Sequence, residues 1–201
     1  MRQISSIILS LVFIIGCLPS QVGKSKTNNQ IKPDGLFTDY YESGQKKEET
    51  NYKDGKKNGL GTRWFRNGQI AQTGNFVNDM QDGLWQSFTP NGIIIQEGRY
   101  LMGKEEGKHI LRYISGNKKE EATFKDGKLN GTRTAWYDNG KKYKEWTYKD
   151  GKEDGLYMAW YENGIKMREG YFNNGQKVGI TYYNEDGSVK EMIQFSTENN
   201  N

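Results

Sequence analysis

The sequence predicts an all-β fold, an elongated single antiparallel β-meander of about seven 24-residue β-hairpin repeats. Three observations predict it. The first is a glycine grid. Glycines stand at 35, 59, 83, 107, 131, 155 and 179; a second series runs 44, 68, 92, 116, 140 and 164, with Gly187 one residue early; a third holds 55, 103, 127, 151 and 175, with Asp79 in the gap. With Gly74, Gly98 and Gly170 the grid takes 22 of the 25 glycines, so glycine here is positional rather than linker material. The second is composition. Apolar residues reach only 33% and mean hydropathy is −0.96, yet aromatics are 13%. Disordered chains are poor in aromatics, so the composition fits many short strands around rings and argues against a thick aliphatic enzyme core. The third is the absence of any sustained helical period between regularly spaced turn signals.

The elements follow in chain order. Ile4 to Ile15 is an apolar run behind Met1-Arg2-Gln3. It is too short for a bilayer span of about 20 residues and reads as a secretory signal over 1–16. Its end, Ile14-Ile15-Gly16-Cys17, resembles the bacterial lipoprotein lipobox. That resemblance implies cleavage before Cys17 and diacylglycerol and acyl modification of its thiol. Cys17 is the chain's one cysteine, so no intrachain disulfide is possible. Leu18, where retained enteric lipoproteins carry aspartate, leans toward the outer rather than the inner membrane. The expected address is therefore the bacterial cell envelope. Residues 17–33 form the lipidated cysteine and a polar tether, reaching on the order of 20 Å. Residues 34–195 are the repeat domain, and 196–201 a polar tail.

Within the repeat domain each unit reads as two strands of five to seven residues and two tight turns. One turn is Asn-Gly, at 67–68, 91–92, 139–140 and 163–164, expected as type I′. The other is Lys-Asp-Gly-Lys, at 53–56, 125–128 and 149–152. Fourteen strands at about 4.8 Å each would extend roughly 65 Å. Tyr40, Trp64, Phe88, Trp136 and Trp160 share one repeat position, and Tyr41, Phe65, Tyr113, Tyr137 and Tyr161 the next, expected on the opposite face. The second strand ends in Tyr52, Phe76, Tyr100, Phe124, Tyr148 or Phe172, with Gly74, Gly98, Ala122 or Gly170 two residues earlier leaving room for a neighbouring ring. Leu36, Leu60, Leu84 and Leu156 line up at the strand start, and Ile180 follows at the same spacing. Each unit is too small to be stable alone, and stacking completes the core.

The pattern Gly-x-x-x-x-Trp-Tyr-x-x-Gly followed by Glu-Gly-x-Tyr/Phe-x-x-Gly-x-x-x-Gly resembles the bacterial MORN-repeat variant. Trp160, Tyr161, Gly164, Glu169, Gly170, Phe172 and Gly175 make its cleanest copy. The resemblance covers about residues 35 to 195. It implies a binding or scaffold module, and for some bacterial members an antitoxin. Unit 107–130 departs most, with Arg112 at the aromatic position and Ser115-Gly116 in place of Asn-Gly.

No constellation for catalysis appears, and the expected protein is not an enzyme. The one histidine, His109, has no nucleophile or metal ligand set around it in sequence. Glu49, Glu97, Glu121, Glu145 and Glu169 share a phase and are expected to pair with lysines such as Lys142 and Lys166. The Asp-Gly turns lack calcium-loop spacing, so no metal or other cofactor is expected. A net charge of +4 spread along the chain gives no stripe for nucleic acid. The candidate binding surface is aromatic: Trp64, Trp85, Trp136, Trp160, Tyr41, Tyr137 and Tyr161. The expected partners are the membrane, through the lipid, and a protein on this surface. Toxin neutralisation and cell-envelope glycan binding are the alternatives.

Overall fold

The computed structural model describes residues 32–195. The expected signal over 1–16, Cys17 and the last six residues lie outside them. Fourteen strands succeed one another: β1 (Gly35–Tyr40), β2 (Lys46–Lys53), β3 (Lys56–Trp64), β4 (Ile70–Val77), β5 (Met80–Phe88), β6 (Ile94–Leu101), β7 (Lys104–Arg112), β8 (Lys118–Lys125), β9 (Lys128–Trp136), β10 (Lys142–Lys149), β11 (Lys152–Trp160), β12 (Lys166–Asn173), β13 (Gln176–Tyr183) and β14 (Val189–Gln194). They form one 14-stranded sheet in sequence order, every pair antiparallel. The all-β meander of hairpin repeats is therefore the fold.

The two turns have exchanged roles relative to expectation. A two-residue I′ loop needs positive φ at both central residues. Asp54 (φ 51) with Gly55 (φ 73), and Asp126 (φ 51) with Gly127 (φ 78), meet that demand between β2 and β3 and between β8 and β9. At the Asn-Gly pairs only the glycine is left-handed, as at Gly68 (φ 84) and Gly140 (φ 81). There the loop is longer. The Gly68 N–H donates to the Phe65 carbonyl at 2.9 Å and the Phe65 N–H to the Gln69 carbonyl at 2.8 Å. Asn67 Oδ1 accepts the Gln69 N–H at 3.1 Å. The asparagine side chain stabilises its own backbone two residues on, which relieves it of any need for positive φ.

The first glycine series is not at turns at all. Thr50 pairs with Gly61 and Tyr52 with Lys57, so β3 spends extra residues against β2. Gly59 (φ 105) sits in this bulge, as do Gly131 (φ 112) and Gly155 (φ 111) in β9 and β11. The bulges lengthen the strands, which run from 6 to 9 residues rather than five to seven.

One face of the sheet, the ring face, is closed by its own side chains. Across neighbouring strands it places Thr50 against Gly61, Gly74 against Trp85, and His109 between Gly98 and Ala122. Bulk on one strand is met by its absence on the next. A Cβ on Gly74 would lie 2.2 Å from the Trp85 ring, and one on Gly98 2.3 Å from the His109 ring. Beside this row the strand-end aromatics pack edge-on, Phe76 against Trp85 at 4.8 Å between centroids and Tyr157 against Phe172 at 6.1 Å. Such pairs contribute about 0.5–1.5 kcal/mol beyond their buried area.

Ile180 does not continue the leucine line. In β13 the bulge is one residue shorter: Phe172 pairs with Lys177 and Gly170 with Ile180, and Gly179 is not left-handed. Losing one residue flips every later side chain. Ile180 therefore lies on the ring face at 6% exposure, while Leu36, Leu60, Leu84 and Leu156 stay 45–59% exposed on the other.

Candidate binding face

The second face carries a ladder of polar rungs. Cross-strand pairing sets Thr38 beside Glu49, Glu49 beside Thr62, Glu121 beside Thr134 and Glu145 beside Met158. A lysine three residues before the glutamate would point to the opposite face of a regular strand. A register shift between Lys142 and Lys144 returns Lys142 to the face of Glu145. Four ion pairs result: Lys46–Glu49 at 2.5 Å, Lys118–Glu121 at 2.7 Å, Lys142–Glu145 at 2.6 Å and Lys166–Glu169 at 2.5 Å. The pairing expected for Lys142 and Lys166 is what forms.

Each of these ammonium groups also lies over a ring of the following hairpin. Lys46 Nζ is 5.5 Å from the Trp64 centroid, and Lys118, Lys142 and Lys166 are 5.6 Å from Trp136, Trp160 and Tyr183. That is cation–π range. The hydrogen bond to Glu49 raises the Lys46 pKa. Lys46 and the Thr38 hydroxyl hold the Glu49 carboxyl below its usual range. Lys118, with Lys108 across the strand, does the same for Glu121.

The ladder is interrupted mid-array. At the Lys, Glu and Trp positions β4 and β5 carry Ile70, Thr73 and Phe88. In the next hairpin Ile94 replaces the lysine, and Arg112, the divergent residue at the aromatic position, pairs with Glu97 at 2.8 Å. Arginine supplies the charge that Ile94 lacks.

The structure separates the predicted surface residues. Trp64, Trp136 and Trp160 are half-buried on the ladder face, each with one flank covered by a lysine. Trp85 is not a surface residue. It is 7% exposed on the ring face, filling the space over Gly74, and its Nε1–H donates to the Asn75 carbonyl at 3.0 Å. Tyr41, Tyr137 and Tyr161 stand at the first position of the longer loops rather than within strands. Their hydroxyls donate to the carbonyls of Trp64 (2.7 Å), Trp160 (3.0 Å) and Tyr183 (3.1 Å). Each bolts its own hairpin to the next. Sequence reasoning aligned Leu36, Leu60, Leu84 and Leu156 without recognising them as exposed. It also missed Arg133, bidentate to Glu120 at 2.9 and 3.0 Å and 5.2 Å from the Trp146 ring on the ring face. No local signal marks that pair, because the residues come from different strands.

Among the described residues no group of three or more His, Cys, Asp or Glu side chains could hold a metal ion. No helix among them is long and apolar enough to cross a membrane.

The MORN repeat variant family matches residues 33–54, 81–101, 129–150 and 153–174, and the MORN repeat family matches 51–70. The chain carries MORN repeats. Each matched segment of the variant holds one strand-end aromatic, namely Tyr52, Tyr100, Tyr148 or Phe172, with its following I′ turn or the approach to it. The segment 102–128, which includes His109 and Arg112, lies outside the matches. MORN repeats are generally protein- or membrane-binding modules, a non-enzymatic kind of fold. No curated protein matches the chain.

Proposed function

We propose that this MORN-repeat protein is a lipid-anchored, non-catalytic scaffold that captures a protein partner on its ladder face. One observation carries the choice of face. The ring face closes on itself, whereas the ladder face leaves Leu36, Leu60, Leu84 and Leu156 about half exposed. Exposed aliphatic side chains in line with charged rungs suit a protein surface with both apolar and ionic contacts. Stacking of a sugar needs an open ring, and lysine ammonium groups cover one flank of Trp64, Trp136 and Trp160. That favours protein over glycan. The anchor rests on Ile14-Ile15-Gly16-Cys17 and on Cys17 being the one thiol. Several acyl chains on one residue would hold the array at the cell envelope.

Affinity capture from solubilised membranes tests both parts. The wild-type chain should fractionate with membranes and retain one stoichiometric protein. Cys17→Ser should move it to the soluble fraction while the retained protein is unchanged. Leu60→Ser with Leu84→Ser should release the partner. Retention on glycan resin with no protein partner overturns the reading. A retained toxin would establish the antitoxin alternative.

A further inference from the structure

The interruption of the ladder leaves a stretch of the face with walls but no lysine–glutamate rung between them. Between β3 and β6, Ile70 pairs with Trp64 and Ile94 with Phe88, so one wall is wholly apolar. Leu60 and Leu84, 58% and 45% exposed, form the other wall. They lie four residues earlier on β3 and β5, about 13 Å away along the strands. The floor between the walls is neutral at Thr62, Thr73 and Gln86, which pair across β3, β4 and β5. The two threonine hydroxyls lie 3.2 Å apart, and Thr73 Oγ1 donates to the Gly61 carbonyl at 3.3 Å. Covering these hydroxyls costs little, because their bonds are already made. Covering a lysine–glutamate rung strips water from two ions.

Free charge returns only at the rim. Three acids lie between Lys56 and Leu101, and each holds a partner. Asp79 accepts the Lys57 N–H at 2.8 Å, Asp82 accepts the Met102 N–H at 3.3 Å, and Glu97 pairs with Arg112. Arg99 stands beside Leu84 on the same face and is exposed. Among the described residues it makes no ion pair.

We propose, on the footing that the ladder face takes the protein partner, that this stretch is the groove for an amphipathic helix of that partner. The helix lies across β3 to β6 with an apolar stripe between the walls and a carboxylate beside Arg99. A helix with its side chains is about 10–12 Å across, which suits walls about 13 Å apart. An extended segment would reach one wall at a time. Edge addition is closed to it, because β3 to β6 are interior strands. Four strands span about 14 Å, the length of roughly ten helical residues. Apolar residues at i, i+3, i+4 and i+7 then meet both walls. The same helix laid over Lys142 and Glu145 would desolvate their ion pair.

Photo-crosslinking with the full chain in its native cells tests this. A photo-reactive phenylalanine analogue in place of Leu84 should mark one protein, and the marked peptide should show that apolar spacing with Asp or Glu alongside. The same analogue in place of Leu156, on a stretch that keeps its rungs, should mark that protein about tenfold less. Ile70→Lys with Thr73→Glu writes the Lys46–Glu49 pattern into the groove. It should leave the melting temperature near wild type and cut labelling from Leu84 by about tenfold or more, the loss of one hot-spot contact. Arg99→Glu should weaken labelling, and Arg99→Lys should keep it. Equal labelling from Leu84 and Leu156 leaves the ladder face as the partner's side and overturns the groove. Labelling that survives the restored rung overturns it too. So does label found on lipid, on a second copy of this chain, or on a segment without helical spacing. No label from either position overturns the ladder-face reading together with the groove.

Discussion

The two faces of this sheet are built from the same strands by different physics. On the ring face, Trp85, His109 and Tyr157 are 3–7% exposed and seated over or beside small partners where the backbone permits. Their stability comes from close packing, which tolerates no added volume. On the ladder face, lysine, glutamate and tryptophan meet near water, with the lysines of the Lys118, Lys142 and Lys46 rungs 44–49% exposed. Such pairs are individually weak and can be exchanged, as Arg112 for lysine shows. A repeat array can vary its ladder without unfolding, but it cannot vary the ring row unless the strand opposite changes with it.

That contrast can be broken at graded points. Trp85→Ala, which empties the ring row over Gly74, should destabilise the domain by about 4 kcal/mol in urea unfolding. A loss near that of an exposed residue would show the row to be loosely packed. Gly74→Val, with its Cβ 2.2 Å from the same indole, should cost about 3 kcal/mol through overpacking. Trp85→Ala combined with Gly74→Val should recover part of that, since the clash and the cavity share one space.

The ladder should respond far less. A double-mutant cycle on Lys118→Met and Glu121→Gln should return a coupling of about 0.5 kcal/mol that shrinks in high salt. A value above that of the ring mutations would reverse the ranking of the faces. Glu121 is held below its usual range by Lys118 and Lys108. Its contribution is thus present above the ordinary carboxylate value and lost as pH falls through the lowered one. Glu121→Gln should lower the melting temperature at pH 7 and flatten the profile in that acid interval, so that variant and wild type converge below it. The smallest stability effect belongs to Leu60→Ser, close to zero in unfolding, with the loss read instead in partner capture.

The candidate face was partly legible beforehand. Trp64, Trp136 and Trp160 share a repeat phase, and phase alone places them on one side of a regular sheet. Trp85 defeats the same reasoning. Gly74 signals room for a neighbouring ring, but nothing local to Trp85 shows that it is the ring that fills that room. Ile180 fails for a related reason, since a one-residue shortening inside β13 reverses the face without disturbing the glycine spacing before it.

The sequence by itself determined the repeat length, the number of strands and the turn positions, because each is written in local residue types at fixed spacing. Local chemistry dictates local backbone, and a period of 24 repeats that dictate seven times. The tertiary structure decided which face each side chain occupies and which turn is the two-residue one. Those depend on bulges and on what the neighbouring strand leaves empty. A bulge changes face by a single residue, and a cavity is a property of two strands rather than one.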